Sequence, residues 1–374
     1  MRLACFPPLL NENPYQRLLY ESLEPLGFDV LPSAPLKLRW LLRSRGRIDV
    51  LHLHWPESYY RSSGRFSFVS SWLRLGFFTG RLIAAKLLGF RIVWTVHQVR
   101  PHEDSTRTAD YVASRVIAAV ATLLFAHDDL TKQSVTTALG VRAGKKVKVV
   151  AHAAYVEAYP SGRSRRDVRA ELGIPEEAFV FLAFGHVRRY KRLDVVLNAF
   201  RAAPQLDATL VVAGLPVDPD VAATVRDAAV TNKRIVPRLE FVPDDRVAEL
   251  FKACDACVMT RVDEGTSGAL ILSLSLGLPA VVPAAAPWEE LVGDAGWVYE
   301  AGSEASLIEA LSDASLSSPS IIVAKQQAAL ARALRLSPAA VADETSRYIR
   351  ASLGIEPDAA LIDEARTTAT VRAV

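Results

Sequence analysis

Residues 180–192 read VFLAFGHVRRYKR, an apolar run followed by a glycine and then by four cations. The run from Val180 to Phe184 is typical of a buried strand. Beyond the turn, apolar residues repeat with helical spacing and predict a helix that begins near Arg192 with one buried face: Leu193, Val196, Leu197 and Phe200. The cations therefore stand at the start of a helix, where the positive end of the helix dipole disfavours them.

An anion bound at this turn would offset that electrostatic cost. Exposed backbone N–H groups, the helix dipole and nearby cations together form an anion site, and a diphosphate suits it because it needs several donors at once. The alternative is a solvated basic loop, in which all four cations point into water: Arg188, Arg189, Lys191 and Arg192.

A second turn of the same kind follows further along the chain. Residues 263–268, DEGTSG, precede an apolar helix predicted from Ala269 to Leu276, and Gly277 ends it. The glycines allow close backbone approach, and Thr266 and Ser267 add hydroxyl donors. The alternative is an ordinary helix with a serine or threonine cap. Two such turns with Glu264 beside the second favour a nucleotide-sugar site, in which the carboxylate binds sugar hydroxyls.

Strand-like runs alternate with helical segments throughout the chain, which predicts the α/β class with two doubly wound parallel sheets. A length of 374 residues also favours two domains. We expect Rossmann-like domains at 1–158 and 167–338 that face a ligand cleft, joined by a polar linker, and a C-terminal helix and tail at 339–374. The predicted strands are Leu3 to Phe6, Val50 to His54, Ile92 to His97, Ala121 to Ala126, Val147 to Ala151, Val180 to Phe184, Thr209 to Ala213, Leu239 to Val242, Ala256 to Met259 and Ala280 to Val282.

The composition excludes several classes of protein. Half of the residues are hydrophobic and 23% are charged, which excludes a disordered chain. The first residues run at once into Pro7 and Pro8, so no signal peptide is expected and the predicted location is cytoplasmic. The apolar stretch from Gly268 to Pro287 contains three prolines and is interpreted as a helix, a turn and a strand. Cys254 and Cys257 are interpreted as core cysteines, because zinc would need further ligands.

Six segments, in this order and spacing, resemble the retaining glycosyltransferases of family 4 and their relatives with the GT-B fold, of the bacterial exopolysaccharide and glycolipid hexosyltransferase type. They are FG..R.YK at 184–191, NAF at 198–200, VVAG at 211–214, FVP at 241–243, ACDACVM at 253–259 and EG..G........G.P at 264–279. The resemblance implies a nucleotide diphosphate sugar as co-substrate, UDP- or GDP-linked, with no metal and no other cofactor.

The resemblance also implies roles for individual residues of the second domain. Arg188 and Lys191 hold the donor diphosphate together with Thr266, Ser267 and Gly268, whereas Arg189 and Arg192 are expected to be solvated. Glu264 lies near the donor sugar. The FVP segment, with Phe241 and Val242, is assigned to the base and ribose of the nucleotide.

Two positions depart from the family pattern. Family members usually carry a second glutamate eight positions after the first, on the nucleotide ribose, and this chain has Leu272 there. The loop after the first strand has Asn13, Pro14 and Tyr15 where the family often has glycines. This chain is more similar to a subgroup of the family that has NPY in this loop and TSG in the second turn. Asn13 is assigned to the acceptor side.

Histidines mark the ends of two strands in the amino-terminal half. His52 and His54 fall on the same face of one strand, where they are either structural or, for His54, part of the acceptor side. His97 ends the next strand, and in similar enzymes a histidine at this place contacts the transferred sugar. Glu103 and Asp104 follow it, and Glu103 is the candidate general base if the enzyme inverts configuration. A retaining enzyme needs no such base.

Positive charge is concentrated in the amino-terminal half. Residues 1–150 carry a net charge of +10 and the remainder carries −7. Basic residues interleave with aromatic and aliphatic ones from Lys37 to Arg47 and from Arg61 to Arg91, which suits the anionic inner face of a membrane. No nucleic acid is expected, because no RNA-binding or helix-turn-helix signature accompanies the charge. The alternative is helices packed on the sheet with their arginines in solvent.

The sequence therefore predicts a glycosyltransferase, a hexosyltransferase that acts on a glycan or lipid-linked acceptor, and a retaining mechanism is the preferred expectation. An inverting transferase of the β-mannosyl or glucuronosyl type is the alternative within the class. From other classes, a non-catalytic nucleotide-sugar-binding subunit and a nucleotide-sugar epimerase stay open. The presence of Arg188, Lys191 and Glu264 argues against loss of catalysis.

Overall fold

Each half of the chain folds as a six-stranded parallel sheet covered by helices, in a computed structural model that describes residues 1–8, 13–31, 36–62, 67–97, 107–261 and 265–355. The chain divides into two compact units. Unit 1 comprises residues 1–153 and the chain from Pro338 onward, and unit 2 comprises Ala154–Ser337. The division lies at the start of the linker predicted from His152 to Arg166, and the helix from Pro338 belongs with unit 1. Two Rossmann-like sheets were predicted, and this architecture is confirmed.

Unit 1 has the strand order β2-β1-β3-β4-β5-β6. Its strands are β1 (Arg2–Phe6), β2 (Asp29–Leu31), β3 (Val50–Leu53), β4 (Arg91–Val96), β5 (Leu123–Ala126) and β6 (Val147–Val149). Its helices are α1 (Tyr15–Leu23), α2 (Leu38–Ser44), α3 (Ser67–Leu87), α4 (Arg107–Val120), α5 (Asp129–Leu139) and α6 (Val141–Gly144), and the last helix of the chain joins them.

Unit 2 has the strand order β12-β11-β10-β7-β8-β9. Its strands are β7 (Phe179–Phe184), β8 (Ala208–Ala213), β9 (Ile235–Arg238), β10 (Ala256–Val258), β11 (Ala280–Pro283) and β12 (Gly296–Tyr299). Its helices are α7 (Arg165–Leu172), α8 (Leu193–Ala202), α9 (Pro219–Thr231), α10 (Asp244–Ala253), α11 (Gly268–Ser275), α12 (Trp288–Val292), α13 (Glu304–Ser315) and α14 (Pro319–Arg335).

The central strands are buried on both faces, as parallel sheets between helices require. Every residue of β3 and of β8 is buried, including the polar His52 and Thr209. The helices begin at side-chain caps where the sequence offers them. Ser303 accepts a hydrogen bond from the Ser306 N–H, and Ser318 caps the helix that opens with Pro319.

In each unit the order of strands reverses direction once. In unit 1 the reversal lies between β1 and β3, and in unit 2 it lies between β7 and β10. Open α/β sheets bind ligands outside the carboxyl ends of the strands at this point. Residues that follow β3 in unit 1, and β7 and β10 in unit 2, are therefore the first places to look for a site.

The predicted strand from Leu239 to Val242 is wrong. These residues lie outside any strand, and the strand of this region is β9, which contains Pro237. Proline removes a backbone donor and is tolerated because β9 lies at the edge of the sheet. The three strands that were not predicted, β2, β9 and β12, are all edge strands.

The final helix, α15 (Pro338–Ser352), packs on α1. Arg350 donates a hydrogen bond of 2.5 Å to the Leu26 carbonyl, and its guanidinium lies 5.4 Å from the centre of the Phe28 ring. The chain thus returns to unit 1 after completing unit 2.

Among the described residues, no single helix has the length and apolar composition to cross a membrane; one bent pair, Glu304–Ser315 with Pro319–Ser352, meets these criteria only when counted together. All three cysteines are buried free thiols, which confirms the interpretation of Cys254 and Cys257 as core residues.

Candidate active site

The turn after β7 is built around a lysine that folds back over a glycine. Gly185 has a φ of +107°, and a Cβ at this position would lie 2.5 Å from Lys191 Nζ. The Lys191 ammonium group donates a 2.7 Å hydrogen bond to the Phe184 carbonyl, the last of the strand. The positive φ favours glycine at 185, and a side chain there would displace the Lys191 ammonium group.

The surroundings of Lys191 lower the pKa of its ammonium group. Burial of the ammonium group, and then the nearby Arg261 guanidinium, lower the pKa of Lys191 to about 8. Arg261 follows β10 and is stacked near two rings, 5.6 Å from the centre of Tyr190 and 5.0 Å from that of Trp288. Two cations thus lie at the point where the strand order of unit 2 reverses.

The second predicted turn contributes a helix N-terminus to the same place. Ser267 caps α11 by accepting a hydrogen bond from the Leu270 N–H. Gly265, with a φ of +104°, presents its carbonyl to the Trp288 indole N–H at 3.2 Å. Trp288 is fully buried and fixes the turn.

Both turns line one recess, which we call the unit 2 recess. Its polar lining residues are Tyr190, Lys191, Thr260, Arg261, Ser267 and Gly268. A lysine, an arginine and the N–H groups at the start of α11 converge on it, a combination suited to a phosphate or diphosphate. The geometry thus unites three of the residues assigned from the sequence to the diphosphate: Lys191, Ser267 and Gly268.

Other residues assigned to the donor lie elsewhere. Arg188 and Thr266 are half-buried and flank the unit 2 recess without lining it. Arg189 is 81% exposed in its side chain, and Arg192 pairs with Asp194 at the surface. Phe241 and Val242 follow β9, and the Phe241 side chain is half exposed. Glu264 lies outside the described residues.

In unit 1, five histidines surround two tyrosines at the carboxyl ends of the strands. The Tyr15 ring centre lies between 4.5 and 5.7 Å from those of His54, His97, His127 and His152. The Tyr20 hydroxyl contacts both His52 Nδ1, at 3.1 Å, and His54 Nε2, at 2.8 Å. His52 and His54 therefore share one face of β3, as predicted.

The hydrogen bonds of this cluster all run in the same donor-to-acceptor sense, because the group at one end can only accept. The Val150 carbonyl can only accept, so His127 Nδ1 donates to it at 3.0 Å. Neutral His127 then accepts at Nε2 from His97 Nδ1, at 3.4 Å. His97 in turn accepts at Nε2 from His54 Nδ1, at 3.1 Å. Both nitrogens of His97 are thus engaged by other histidines.

The same direction continues to the far end of the cluster. His54 Nε2 accepts from the Tyr20 hydroxyl, whose oxygen accepts from His52 Nδ1. His52 Nε2 accepts from the Thr95 hydroxyl at 2.8 Å. We call this run from Thr95 to Val150 the histidine chain.

Burial keeps the rings of the histidine chain neutral. Desolvation lowers the pKa of His52 to about 3 and is also the largest cause of the lowered pKa of His54, His97 and His127. His152, beside the chain, likewise has a pKa lowered to about 3. The donor-to-acceptor order of the histidine chain requires neutral rings, and the low pKa values keep the rings neutral at neutral pH.

A second recess, the unit 1 recess, opens beside His54 and His97 and contains two carboxylates that the sequence analysis did not single out. Glu57 lies in the 3-10 turn Pro56–Tyr59 after β3, and Asp110 lies on α4. Arg61 donates to Asp110 from Nε, at 3.0 Å, and from Nη2, at 3.2 Å. The position of Glu57 just after a buried strand was the available sequence signal.

The remaining predicted residues of unit 1 have other placements. Asn13 accepts a hydrogen bond at Oδ1 from the Tyr15 N–H, which orders the start of α1. Glu103 and Asp104 lie outside the described residues. In the described ranges no group of three or more histidine, cysteine, aspartate or glutamate side chains is arranged to hold a metal ion.

Residues 178–315, which include the unit 2 recess, match the family model described as glycosyl transferases group 1. Two curated proteins from Xanthomonas campestris pv. campestris, each named GDP-mannose:glycolipid 4-beta-D-mannosyltransferase, are 28% identical to this chain. The alignments extend over 320 and 319 residues, which are 82% of this chain and 81% of each relative.

Solved structures show the same fold along nearly the whole chain. HepE from Anabaena, in complex with UDP and glucose, is similar with a TM-score of 0.69 at 15% identity, over 94% of this chain and 100% of its own. Sucrose-phosphate synthase from Thermosynechococcus elongatus reaches 0.70 at 14% identity, over 95% and 99%. The lipopolysaccharide glycosyltransferase WaaG reaches 0.66 at 15% identity, over 93% and 99%. The chain is thus a glycosyltransferase with the GT-B fold, and its residues 178–315 are similar to the glycosyl transferases group 1 family.

Proposed function

We propose that the chain transfers mannose from GDP-mannose to a hydroxyl of a glycolipid and forms a β-linkage. The observation that carries this proposal is the likeness to two GDP-mannose:glycolipid 4-beta-D-mannosyltransferases across 82% of the chain. The unit 2 recess supports it, because Lys191, Arg261 and the N-terminus of α11 supply the donors that a nucleotide diphosphate needs.

A β-product from this donor requires inversion, since the mannosyl–phosphate bond of GDP-mannose is α. Retention was the preferred sequence-based expectation, and the names of the relatives favour the inverting alternative instead. Leu272 also supports an inverting mechanism, because it departs from the pattern of the retaining enzymes. It stands where that pattern has its second glutamate, and it is buried within α11.

A glycolipid acceptor places the reaction at a membrane surface, and α2 and α3 suit such a surface. The buried face of α3 carries Leu75, Phe78 and Leu82, whereas its other side exposes apolar side chains. The exposed apolar residues of the two helices are Leu38, Leu42, Phe68, Val69, Leu73, Phe77, Ile83 and Leu87.

Cations accompany these apolar residues. Arg39 and Arg43 lie on the exposed part of α2, and Arg74 and Lys86 are exposed on α3. Apolar side chains enter the headgroup region while the cations attract anionic lipids, at about 1 kcal/mol per basic residue. We therefore propose that unit 1 docks on an anionic membrane surface through α2 and α3, peripherally and on the cytoplasmic side.

The function is tested with purified protein, radiolabelled GDP-mannose and a lipid extract that contains glycolipids, with UDP-glucose as the matched donor control. We expect label in the lipid fraction from GDP-mannose alone. The one-bond C1–H1 coupling of the transferred mannose, measured by NMR, is expected to report a β-anomer.

Other outcomes would contradict the proposal in distinct ways. An α-linked product would restore the retaining interpretation. Binding of GDP-mannose without turnover in any extract would favour a non-catalytic binding subunit. Isomerisation of the free donor without an acceptor would favour an epimerase.

A further inference from the structure

An inverting transfer needs a general base that removes the proton of the acceptor hydroxyl. The unit 1 recess contains the candidate side chains. Its titratable and charged lining groups are His54, Glu57, Tyr60, Arg61, His97 and Asp110. They follow β3 and β4 or face them from α4, at the carboxyl edge of the sheet of unit 1. The inference below rests on the proposed function.

Asp110 is already committed to other side chains. It accepts two hydrogen bonds from Arg61, at 3.0 and 3.2 Å. Its carboxyl group is almost fully buried, at 5% exposure. Both of its oxygens are therefore occupied by the Arg61 guanidinium, and Asp110 is not assigned the proton of the acceptor hydroxyl.

The histidines of the recess are also poor bases. His97 accepts from His54 at one nitrogen and donates to His127 at the other. His54 has both nitrogens engaged, by Tyr20 and by His97. Neither ring presents a lone pair to a sugar hydroxyl in this arrangement.

Glu57 is the remaining candidate. It is half-buried, and within the described part of the chain its carboxylate has no ion-pair partner within 4 Å, since Arg61 turns to Asp110. The 3-10 turn Pro56–Tyr59 places it directly after the end of β3, beside the reversal of strand order.

We propose that Glu57 is the general base of the transfer. Its carboxylate takes the proton of the acceptor hydroxyl while that oxygen forms a bond to mannosyl C1. The bond between C1 and the phosphate oxygen breaks with its electron pair, and GDP leaves. Protonated Glu57 then returns the proton to solvent. Asp110 is a positioning residue, because both of its carboxylate oxygens bind the Arg61 guanidinium beside Glu57.

The electrostatics of the recess agree with this role. Burial is the largest cause and raises the pKa of Glu57. The hydrogen bond from its own backbone N–H and the Arg61 charge lower this pKa, and the Asp110 charge raises it. A raised pKa makes the carboxylate a stronger base than one in solvent. We therefore expect kcat/KM to fall on the acid side of the pH profile at a pH above the ordinary range of a glutamate.

The test compares Glu57→Gln, Glu57→Asp and Glu103→Gln with wild type, with Glu21→Gln, an exposed residue of α1, as the matched control. We expect Glu57→Gln to lower kcat by about 10²- to 10⁴-fold, with the donor KM unchanged and the acid limb of the profile lost. Glu57→Asp should keep part of the activity, and Glu21→Gln should keep all of it. A thermal shift with GDP-mannose verifies that each variant is folded.

The outcomes separate this proposal from the proposed function. Wild-type turnover by Glu57→Gln with a β-linked product would overturn the assignment alone, and loss in Glu103→Gln would then transfer the role to Glu103. An α-linked wild-type product would overturn both. If Glu57→Gln did not fold, full activity in Glu57→Asp with an unchanged acid limb would still contradict the role of Glu57.

Discussion

Lys191 is a cation whose charge depends on pH within the working range of an enzyme. Its pKa is lowered to about 8, mainly by burial and then by Arg261. The charged form is the one that binds a diphosphate, so deprotonation as the pH rises through about 8 removes one cation from the unit 2 recess. We expect the Kd for GDP, measured by calorimetry, to increase between pH 7 and pH 9.

Variants of the same turn identify which cation is responsible. Lys191→Ala should weaken GDP binding by about 1.5–3 kcal/mol, the value of a hydrogen bond to a charged group, and should remove the pH dependence. Arg189→Ala is the matched control, because that side chain is 81% exposed. Equal losses in the two variants would show that the binding is a general effect of basic charge.

The histidine chain makes the stability of the protein sensitive to acid. Its rings have a lower pKa in the folded chain than in the unfolded one, where it is about 6.5, so the unfolded state binds more protons below that value. The free energy of unfolding should therefore be highest above about pH 6.5. It should fall towards about pH 3 by on the order of 1 kcal/mol per pH unit for each ring.

Urea unfolding at several pH values measures this slope. His52→Gln should reduce it, whereas His186→Gln, at an exposed residue of unit 2, should leave it unchanged. The ¹⁵N spectra of the folded protein should show the Nδ1–H tautomer for His52, His54, His97 and His127. An Nε2–H tautomer at any of them would contradict the one-way order of hydrogen bonds.

Strand-end histidines were visible in the sequence, but their partners were not. His54 and His97 follow strands that could be predicted from short apolar runs. His127 follows β5 and engages His97 across the sheet, so its role depends on strand order. No local pattern encodes that order, and the engagement of both His97 nitrogens could not be foreseen.

At the scale of elements, every central strand was predicted from the sequence, whereas of the four edge strands only β6 was. A central strand such as β8 is enclosed on both faces and carries a continuous apolar run. An edge strand has one neighbour, so it is short, like β2, or interrupted by a proline, like β9. Both recesses lie where the order of strands reverses, and central strands form that place. The turn at residues 184–192 could therefore be located from the sequence.

The exposed face of α3 leads to a prediction about membranes. Leu73 and Phe77 are 63% and 66% exposed, one turn apart. The double variant Leu73→Gln, Phe77→Ser should reduce binding to vesicles with anionic lipid by about tenfold or more, because burial of each side chain contributes about 1.5–3 kcal/mol at most. Cosedimentation with vesicles that contain phosphatidylglycerol measures the loss.

A control on unit 2 separates a specific surface from general hydrophobicity. Val230 and Leu316 are also exposed apolar residues, at 71% and 83%, and their change to serine and glutamine should leave vesicle binding unchanged. Equal binding of wild-type protein to neutral vesicles would contradict the contribution of the basic residues.

At the scale of the whole molecule, the chain leaves unit 1, builds unit 2 and comes back. The sequence indicated two domains and a C-terminal helix, but it did not indicate where that helix packs. Amphipathic periodicity predicts that a helix has a buried face, and it says nothing about which partner covers that face. Here α1 is the partner, more than 300 residues earlier in the chain, with the Arg350 contact to Leu26 separated by 324 positions.

This return makes the stability of unit 1 depend on the last helix. Ile349 is fully buried on α15, so Ile349→Ala should destabilise unit 1 by about 2–5 kcal/mol through lost burial and the cavity that remains. Hydrogen exchange followed by mass spectrometry should show faster exchange in peptides of α1 and β5, while peptides of unit 2 keep their protection. Leu316→Ala, at an exposed residue of unit 2, should change neither. Faster exchange confined to residues 154–337 would mean that α15 stabilises unit 2 instead, and the assignment of the last helix to unit 1 would be wrong.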